Sequence, residues 1–138
     1  MGTRVKKPVF QKTVEKTAIY LDTVRLLDLL LDVAADFPRM YRFVVCDKMI
    51  ELCIGMTESA AATYSHRDPE EALEDIGEYL SKLAVLRTLV RKAGERGWIK
   101  GLARHADIIE LTEGLAKQGS AWRASIAAKA EAAGAGES

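Results

Sequence analysis

The chain has 138 residues, of which 49% are hydrophobic and 29% are charged, and its 20 basic and 20 acidic side chains give a formal net charge of zero. This length suits one compact domain and is too short for two ordinary ones. No stretch reaches the roughly 18 uncharged apolar residues of a membrane span. The N-terminus lacks the apolar stretch of a signal peptide. We therefore expect a cytoplasmic protein without a membrane partner.

The first predicted helix follows a basic segment. Residues 1–12 contain Pro8 and show no periodicity, so we predict an N-terminal arm that is mobile without a partner. A helix then runs from Thr13 or Thr17 to Asp36. It carries two adjacent apolar stripes, the first being Tyr20, Val24, Leu27, Leu31 and Ala34, the second Leu26, Leu30, Val33 and Phe37. Because this exceeds what a simple bundle buries, we predict that the second stripe serves a subunit interface.

Pro38 separates the first helix from the second, since proline ends one helix and suits the first turn of the next. The second helix is predicted over residues 39–64. We expect its inward side to consist of Met40, Phe43, Val44, Ile50, Cys53, Ile54 and Thr57, and its outward side of Arg39, Arg42, Lys48 and Glu51. The two cysteines lie seven residues apart on this helix, so they are predicted to be reduced, buried thiols.

The third helix has the clearest start in the chain. Asp68 is a capping residue, Pro69 suits the first position, and Glu70 and Glu71 complement the helix dipole. This helix is predicted to continue to Arg96, with Gly97 as a left-handed stop. A last helix is predicted over residues 101–130, within a bundle domain spanning 13–131 and followed by a frayed tail, 132–138.

Short connections between long helices imply antiparallel neighbours. The sequence therefore predicts an all-α, up-down-up-down antiparallel four-helix bundle. It contains no glycine-rich phosphate loop, no HExxH motif and no CxxC motif, and His66 and His105 lack the spacing of a di-iron site. We expect no catalysis, no cofactor and no metal.

Charge is segregated along the neutral chain, and residues 82–104 hold seven bases against Glu95. Bases near the end of a helix can simply complement its dipole or cover apolar surface. They can also follow a row of phosphates, because residues four apart share a helix face. The candidate nucleic-acid or partner-binding residues are Arg39, Arg42, Arg87, Arg91, Lys92 and Arg96. Trp122 is predicted to pack in the core or an interface, and Trp98 either to join the last two helices or to be exposed.

Three segments together resemble one family of small helical bundles. They are Phe37-Pro38 with Arg42-Phe43 and the helix through Asp47 and Leu52, then Leu83 with LRTLVRKAGERGWI at 86–99, then LTEGLAKQGSAWRAS at 111–125. Over residues 17–126 the chain resembles the accessory variability determinant family, which is encoded beside the reverse transcriptase of diversity-generating retroelements. The resemblance implies a non-catalytic homopentameric barrel that binds the reverse transcriptase and its template RNA and supports mutagenic cDNA synthesis.

A sister family, the four-helix bundle proteins encoded in ribosomal-RNA intervening sequences, shares the fold and the Phe-Pro hairpin. Its second helix typically has an arginine pair, whereas this chain reads CDKMIELCIGMTES at 46–59. The alternative function is therefore an intervening-sequence-type bundle that acts as an oligomeric, protein-only scaffold.

Overall fold

The computed structural model describes residues 17–136, which form four long helices joined by short turns. The basic arm predicted over residues 1–12 lies outside the described residues. Helix α1 spans Ala18–Val33 and is capped by Thr17, whose hydroxyl accepts a hydrogen bond from the Tyr20 amide at 3.4 Å. A 3-10 turn, Ala34–Asp36, extends α1 to the predicted boundary before Pro38.

Helix α1 buries its second apolar stripe, the one predicted to serve a subunit interface, inside the bundle. Leu26, Leu30, Val33 and Phe37 are core residues, so the prediction that this stripe serves a subunit interface was wrong. The first stripe is only half-buried, and Leu31 in it is 52% exposed. Ile19 and Thr23 are also buried, and they extend the second stripe toward the N-terminus by two further turns.

Helix α2 covers residues 39–65 and contains a π-helical turn near its start. Its parts are Arg39–Tyr41, the π turn Arg42–Cys46 and the regular segment Asp47–Ser65. The π turn inserts extra backbone and rotates the preceding residues relative to the regular segment. Met40, Phe43 and Val44 are consequently about 70% exposed, and Ile54 is 42% exposed, so the predicted inward side was wrong at these positions. The actual inward side is Cys46, Met49, Cys53, Met56, Ala60 and Thr63.

Helix α3, Pro69–Glu95, begins as predicted. The Asp68 carboxylate accepts a hydrogen bond from the Glu70 amide at 3.2 Å, and Pro69 occupies the first turn. Two residues after Glu95, the helix is terminated by Gly97, whose φ of +72° lies in the left-handed region that favours glycine. Helix α4, Leu102–Gly136, extends six residues beyond the predicted end, because its alanine-rich continuation has high helix propensity.

The four helices form an antiparallel bundle in which α2 packs between α1 and α3, and α4 between α3 and α1. Helices α1 and α3 are diagonal, yet their core side chains meet, because the hydroxyls of Thr23 and Tyr79 are hydrogen-bonded at 2.7 Å. Across the described residues the structure is helical without strands, which confirms the predicted all-α four-helix bundle. No helix in this part of the chain is both long and apolar enough to cross a membrane.

Glycine permits close packing between α3 and α4. A Cβ at Gly119 would lie 2.7 Å from Cδ2 of Leu80, and a Cβ at Gly94 would overlap the His105 ring. The two contacts are fourteen residues apart on each helix, or about four turns. They fix the register of the α3–α4 pair along most of its length.

Candidate nucleic-acid and partner interface

The cationic candidates lie at one end of the bundle, where α2 begins and α3 ends. These two segments are in contact: the Tyr41 ring, near the start of α2, stacks on the Trp98 ring, just after α3, with centroids 4.3 Å apart. The same end contains Lys100 and Arg104 at the start of α4. We call this end, comprising residues 31–44 and 87–104, the basic end.

An aromatic cluster holds the two turns of the basic end together. Trp98 stacks on Tyr41, and its ring centroid lies 5.8 Å from that of Phe37. Arg96 lies over the Trp98 ring at 5.8 Å. Trp98 therefore joins the turn between α3 and α4 to the hairpin between α1 and α2, rather than being an exposed base-stacking platform.

Arg42 has a structural role in this hairpin. Its Nε donates a hydrogen bond to the carbonyl oxygen of Ala34 at 3.1 Å, and its Nη2 donates to those of Ala35 at 3.3 Å and Phe37 at 3.4 Å. These carbonyls lie at the C-terminal end of α1, and that of Ala34 also accepts a hydrogen bond from the Phe37 amide at 3.3 Å. The guanidinium therefore caps α1 and neutralises the negative end of its dipole.

Arg87 and Arg91 occupy the edge of α3 that faces α4. Arg87 lies seven residues, or two turns, from both Leu80 and Gly94, the residues that approach α4. Arg87 is half-buried and Arg91 is exposed. Within residues 17–136 neither guanidinium has a hydrogen bond or an ion pair. The same holds for Arg39, which is exposed at the start of α2.

Lys92 and Arg96 face a different direction from Arg87 and Arg91. Successive residues of an α-helix are about 100° apart, so Lys92 lies on the outer side of α3, away from the α4 edge. Lys92 forms an ion pair with Glu95 at 3.3 Å, and Arg96 contacts Trp98 as described above. The predicted basic strip is therefore divided into two rows on two sides of α3.

Exposed apolar side chains accompany the cations, and the sequence prediction missed them. Met40, Phe43 and Val44 surround the π turn and are 72%, 67% and 69% exposed, and Leu102 at the start of α4 is 90% exposed. The sequence signal was three bulky apolar residues beside Arg39 and Arg42. We interpreted them as inward because a regular helix would have placed them there.

The opposite end of the bundle, where α2 meets α3, is acidic. His66 contacts carboxylates with both ring nitrogens, Nδ1 with Glu71 at 3.1 Å and Nε2 with Asp75. Beside it, Tyr64, Trp122 and Ile126 line an open groove of about 390 Å³. The Tyr64 and Trp122 rings lie 6.5 Å apart, which places Trp122 in the packed position predicted for it.

The interior offers no activated nucleophile among the described residues. Burial raises the pKa of the Cys53 thiol to about 12, and burial together with the nearby Asp47 carboxylate raises that of Cys46. The pKa of Tyr79 is also raised, because burial disfavours the phenolate. These groups remain protonated and serve the core.

The comparisons with known proteins give one match. A family model described as bAvd-like matches residues 14–126, which include helices α1 to α3, most of α4 and every cationic candidate. No curated protein and no solved structure matches the chain. A match over more than half of the sequence identifies the family, and it agrees with the resemblance found from the sequence motifs. The chain belongs to the bAvd-like family.

Proposed function

We propose that this chain is a non-catalytic accessory protein of a diversity-generating retroelement. It binds a reverse transcriptase and its template RNA as a homo-oligomer, a homopentamer by family resemblance, and so supports mutagenic cDNA synthesis. The observation that carries the proposal is the bAvd-like match over residues 14–126. The basic end supports it by supplying cations and exposed apolar groups at one end of the bundle.

The proposed phosphate contacts are Arg39, Arg87 and Arg91. Their guanidiniums have no protein partner among residues 17–136, so binding RNA would break no interaction within the bundle. Guanidinium groups also bind phosphate oxygens in a bidentate manner. Arg42 is left out of this set because it caps α1, and Lys92 and Arg96 are assigned to protein contacts.

The proposed polymerase contact is the exposed apolar group Met40, Phe43 and Val44. Large apolar residues in a cluster on a surface indicate a protein interface more often than an RNA interface. Arg39 lies beside this group, so protein and RNA contacts would adjoin at the basic end.

The experiment is co-purification with any reverse transcriptase encoded beside this gene, with template RNA present or absent and salt varied. We expect a stoichiometric complex whose RNA-dependent part weakens steeply with salt, because neutralising phosphates releases counterions. Capture of the polymerase without any RNA binding at low salt would favour the protein-only scaffold. Failure to bind either partner would contradict the proposal.

A further inference from the structure

Helices α1 and α3 each carry an outward stripe of one exposed apolar residue followed by two exposed charges. On α1 the stripe is Leu21, Asp28 and Asp32, and on α3 it is Val85, Lys92 and Arg96. Leu21 is 50% exposed and Val85 is 48% exposed. Within each stripe the spacing is seven and then four residues, which keeps all three side chains on one helix face. The two stripes are thus equal in spacing and opposite in charge.

The stripes also lie at matching heights along the bundle. Cys53 of α2 contacts the Thr23 carbonyl of α1, and counting along the antiparallel pair from there places Asp28 level with residue 48. The Lys82 side chain of α3 passes beside Gly55 of α2 and is hydrogen-bonded to Ser59, and the same counting from these two contacts places residue 48 level with residues 89–93. Asp28 is therefore level, to within about one turn, with the part of α3 that contains Lys92.

The directions of the helices agree with such a match. Helices α1 and α3 are both antiparallel to α2, so they run in the same direction, on diagonal corners of the bundle. When a second copy is related to the first by rotation about an axis along the bundle, heights and directions are preserved. Its α3 stripe then meets the first copy's α1 stripe in register, Leu21 against Val85, Asp28 against Lys92 and Asp32 against Arg96.

We infer that the α1 stripe of one copy packs on the α3 stripe of the next, which makes a heterologous contact that is able to close into a ring. The inference deepens the oligomer of the proposed function and rests on it, without requiring RNA or polymerase binding. A twofold contact between two α1 stripes would bring Asp28 and Asp32 toward the same carboxylates of the second copy. Charge therefore favours the α1-to-α3 arrangement.

The neighbouring charges are compatible with this contact. Arg25 beside the α1 stripe is paired with Asp22 of its own helix at 3.7 Å, and Glu95 beside the α3 stripe is paired with Lys92. Lys92 is thus able to exchange an exposed intramolecular partner for Asp28 of the second copy. Leu21 and Val85 supply the apolar contact that exposed ion pairs alone do not provide.

The test uses two charge-reversed variants without RNA. One carries Asp28→Lys and Asp32→Lys, and the other carries Lys92→Glu and Arg96→Glu. We expect sedimentation velocity at micromolar concentration to show an oligomer for the parent and assembly weakened by about tenfold or more for each variant, because like charges then face each other. A chain that carries all four substitutions should assemble again, because its basic α1 stripe then meets the acidic α3 stripe of the next copy in a ring of any number of copies.

A matched control carries Glu110→Lys and Glu113→Lys, which reverse two exposed charges of α4 outside both stripes and should leave assembly unchanged. Circular dichroism melting establishes that every variant is folded. A monomeric parent, charge-reversed variants that assemble like the parent, or a four-substitution chain that stays dissociated would each overturn the inference. A monomeric parent that binds RNA would overturn this contact and leave the RNA proposal standing. Assembly through the stripes without RNA binding would support this contact and contradict the RNA proposal.

Discussion

The two ends of the bundle are held together by different interactions. At the basic end the turns are joined by the Trp98 cluster, by Arg42 on backbone carbonyls and by the close approach of Gly94 to His105. At the acidic end, His66 bridges Glu71 and Asp75. One ion pair also joins the turns there, between Arg104 and Asp36 at 3.4 Å, while Arg39, Arg87 and Arg91 have no protein partner among the described residues. The acidic end uses its own charges for structure.

Gly94→Ala should produce the largest loss of stability, because the new methyl group overlaps the His105 ring where α3 and α4 are closest. Overpacking of this kind costs about 1–3 kcal/mol. Thermal and urea unfolding measure it, and adding His105→Ala should recover most of the loss. Gly77→Ala is the control: nothing lies within 4 Å of its Cβ position, so helix propensity should raise stability by up to about 1 kcal/mol. Equal effects at both glycines would contradict the packing argument.

The second-largest loss of stability should come from Trp98→Ala, since it removes the ring that joins the two turns of the basic end. We expect a loss of about 1–2 kcal/mol, less than for a fully buried tryptophan because Trp98 is half-buried. The loss should be nearly independent of salt, because the contacts are aromatic. A Trp98→Phe variant should keep most of the stacking and serve as the comparison. A loss that disappears in 1 M salt would mean that charge, not stacking, holds this end.

The protein should lose stability at alkaline pH, because the Cys53 thiol is buried between the two ends of the bundle. The folded pKa of Cys53 is raised to about 12, so folding keeps the thiol protonated while the unfolded chain releases the proton near its ordinary pKa. The stabilisation by the protonated Cys53 thiol is fully present below the pKa of this thiol in the unfolded chain and is lost as pH rises above that pKa. At one pH unit above it, the free energy of unfolding has fallen by roughly 1 kcal/mol. Urea unfolding from pH 7 to 10 tests this. Cys53→Ala should flatten the slope, and an unchanged slope would contradict the assignment.

His66→Ala should have the smallest effect, about 0.5–1 kcal/mol, because its ion pairs are partly exposed. In contrast to Trp98→Ala, the loss should shrink as salt increases, since ions screen such pairs. Unfolding at low and high salt separates the two behaviours. A salt-independent loss would mean that the imidazole acts by packing, and the comparison between the ends would fail.

The sequence predicted the fold well, because apolar periodicity, the Asp68 cap and the Gly97 stop are local signals. It failed at the start of α2, where a π turn rotates Met40, Phe43 and Val44 outward, because no local composition signals the extra residue. The sequence also does not distinguish Gly119, which allows the close contact with α3, from Gly114, which has open space beside it. The cationic candidates were found by spacing, but their partners depend on tertiary contacts. Only the structure separates Arg42, which caps α1, from the unpaired Arg87.

The central functional claim is that the free arginines of the basic end bind RNA, and one binding measurement tests it most directly. Affinity for template RNA is measured against salt for the parent, for Arg87→Glu with Arg91→Glu, and for Lys117→Glu with Arg123→Glu. The last variant makes the same change in net charge on exposed cations of α4. We predict that the α3 variant loses affinity and reduces the slope of log affinity against log salt by about 2. The α4 variant should stay close to the parent. Equal effects of the two variants, or none from the α3 variant, would contradict the claim.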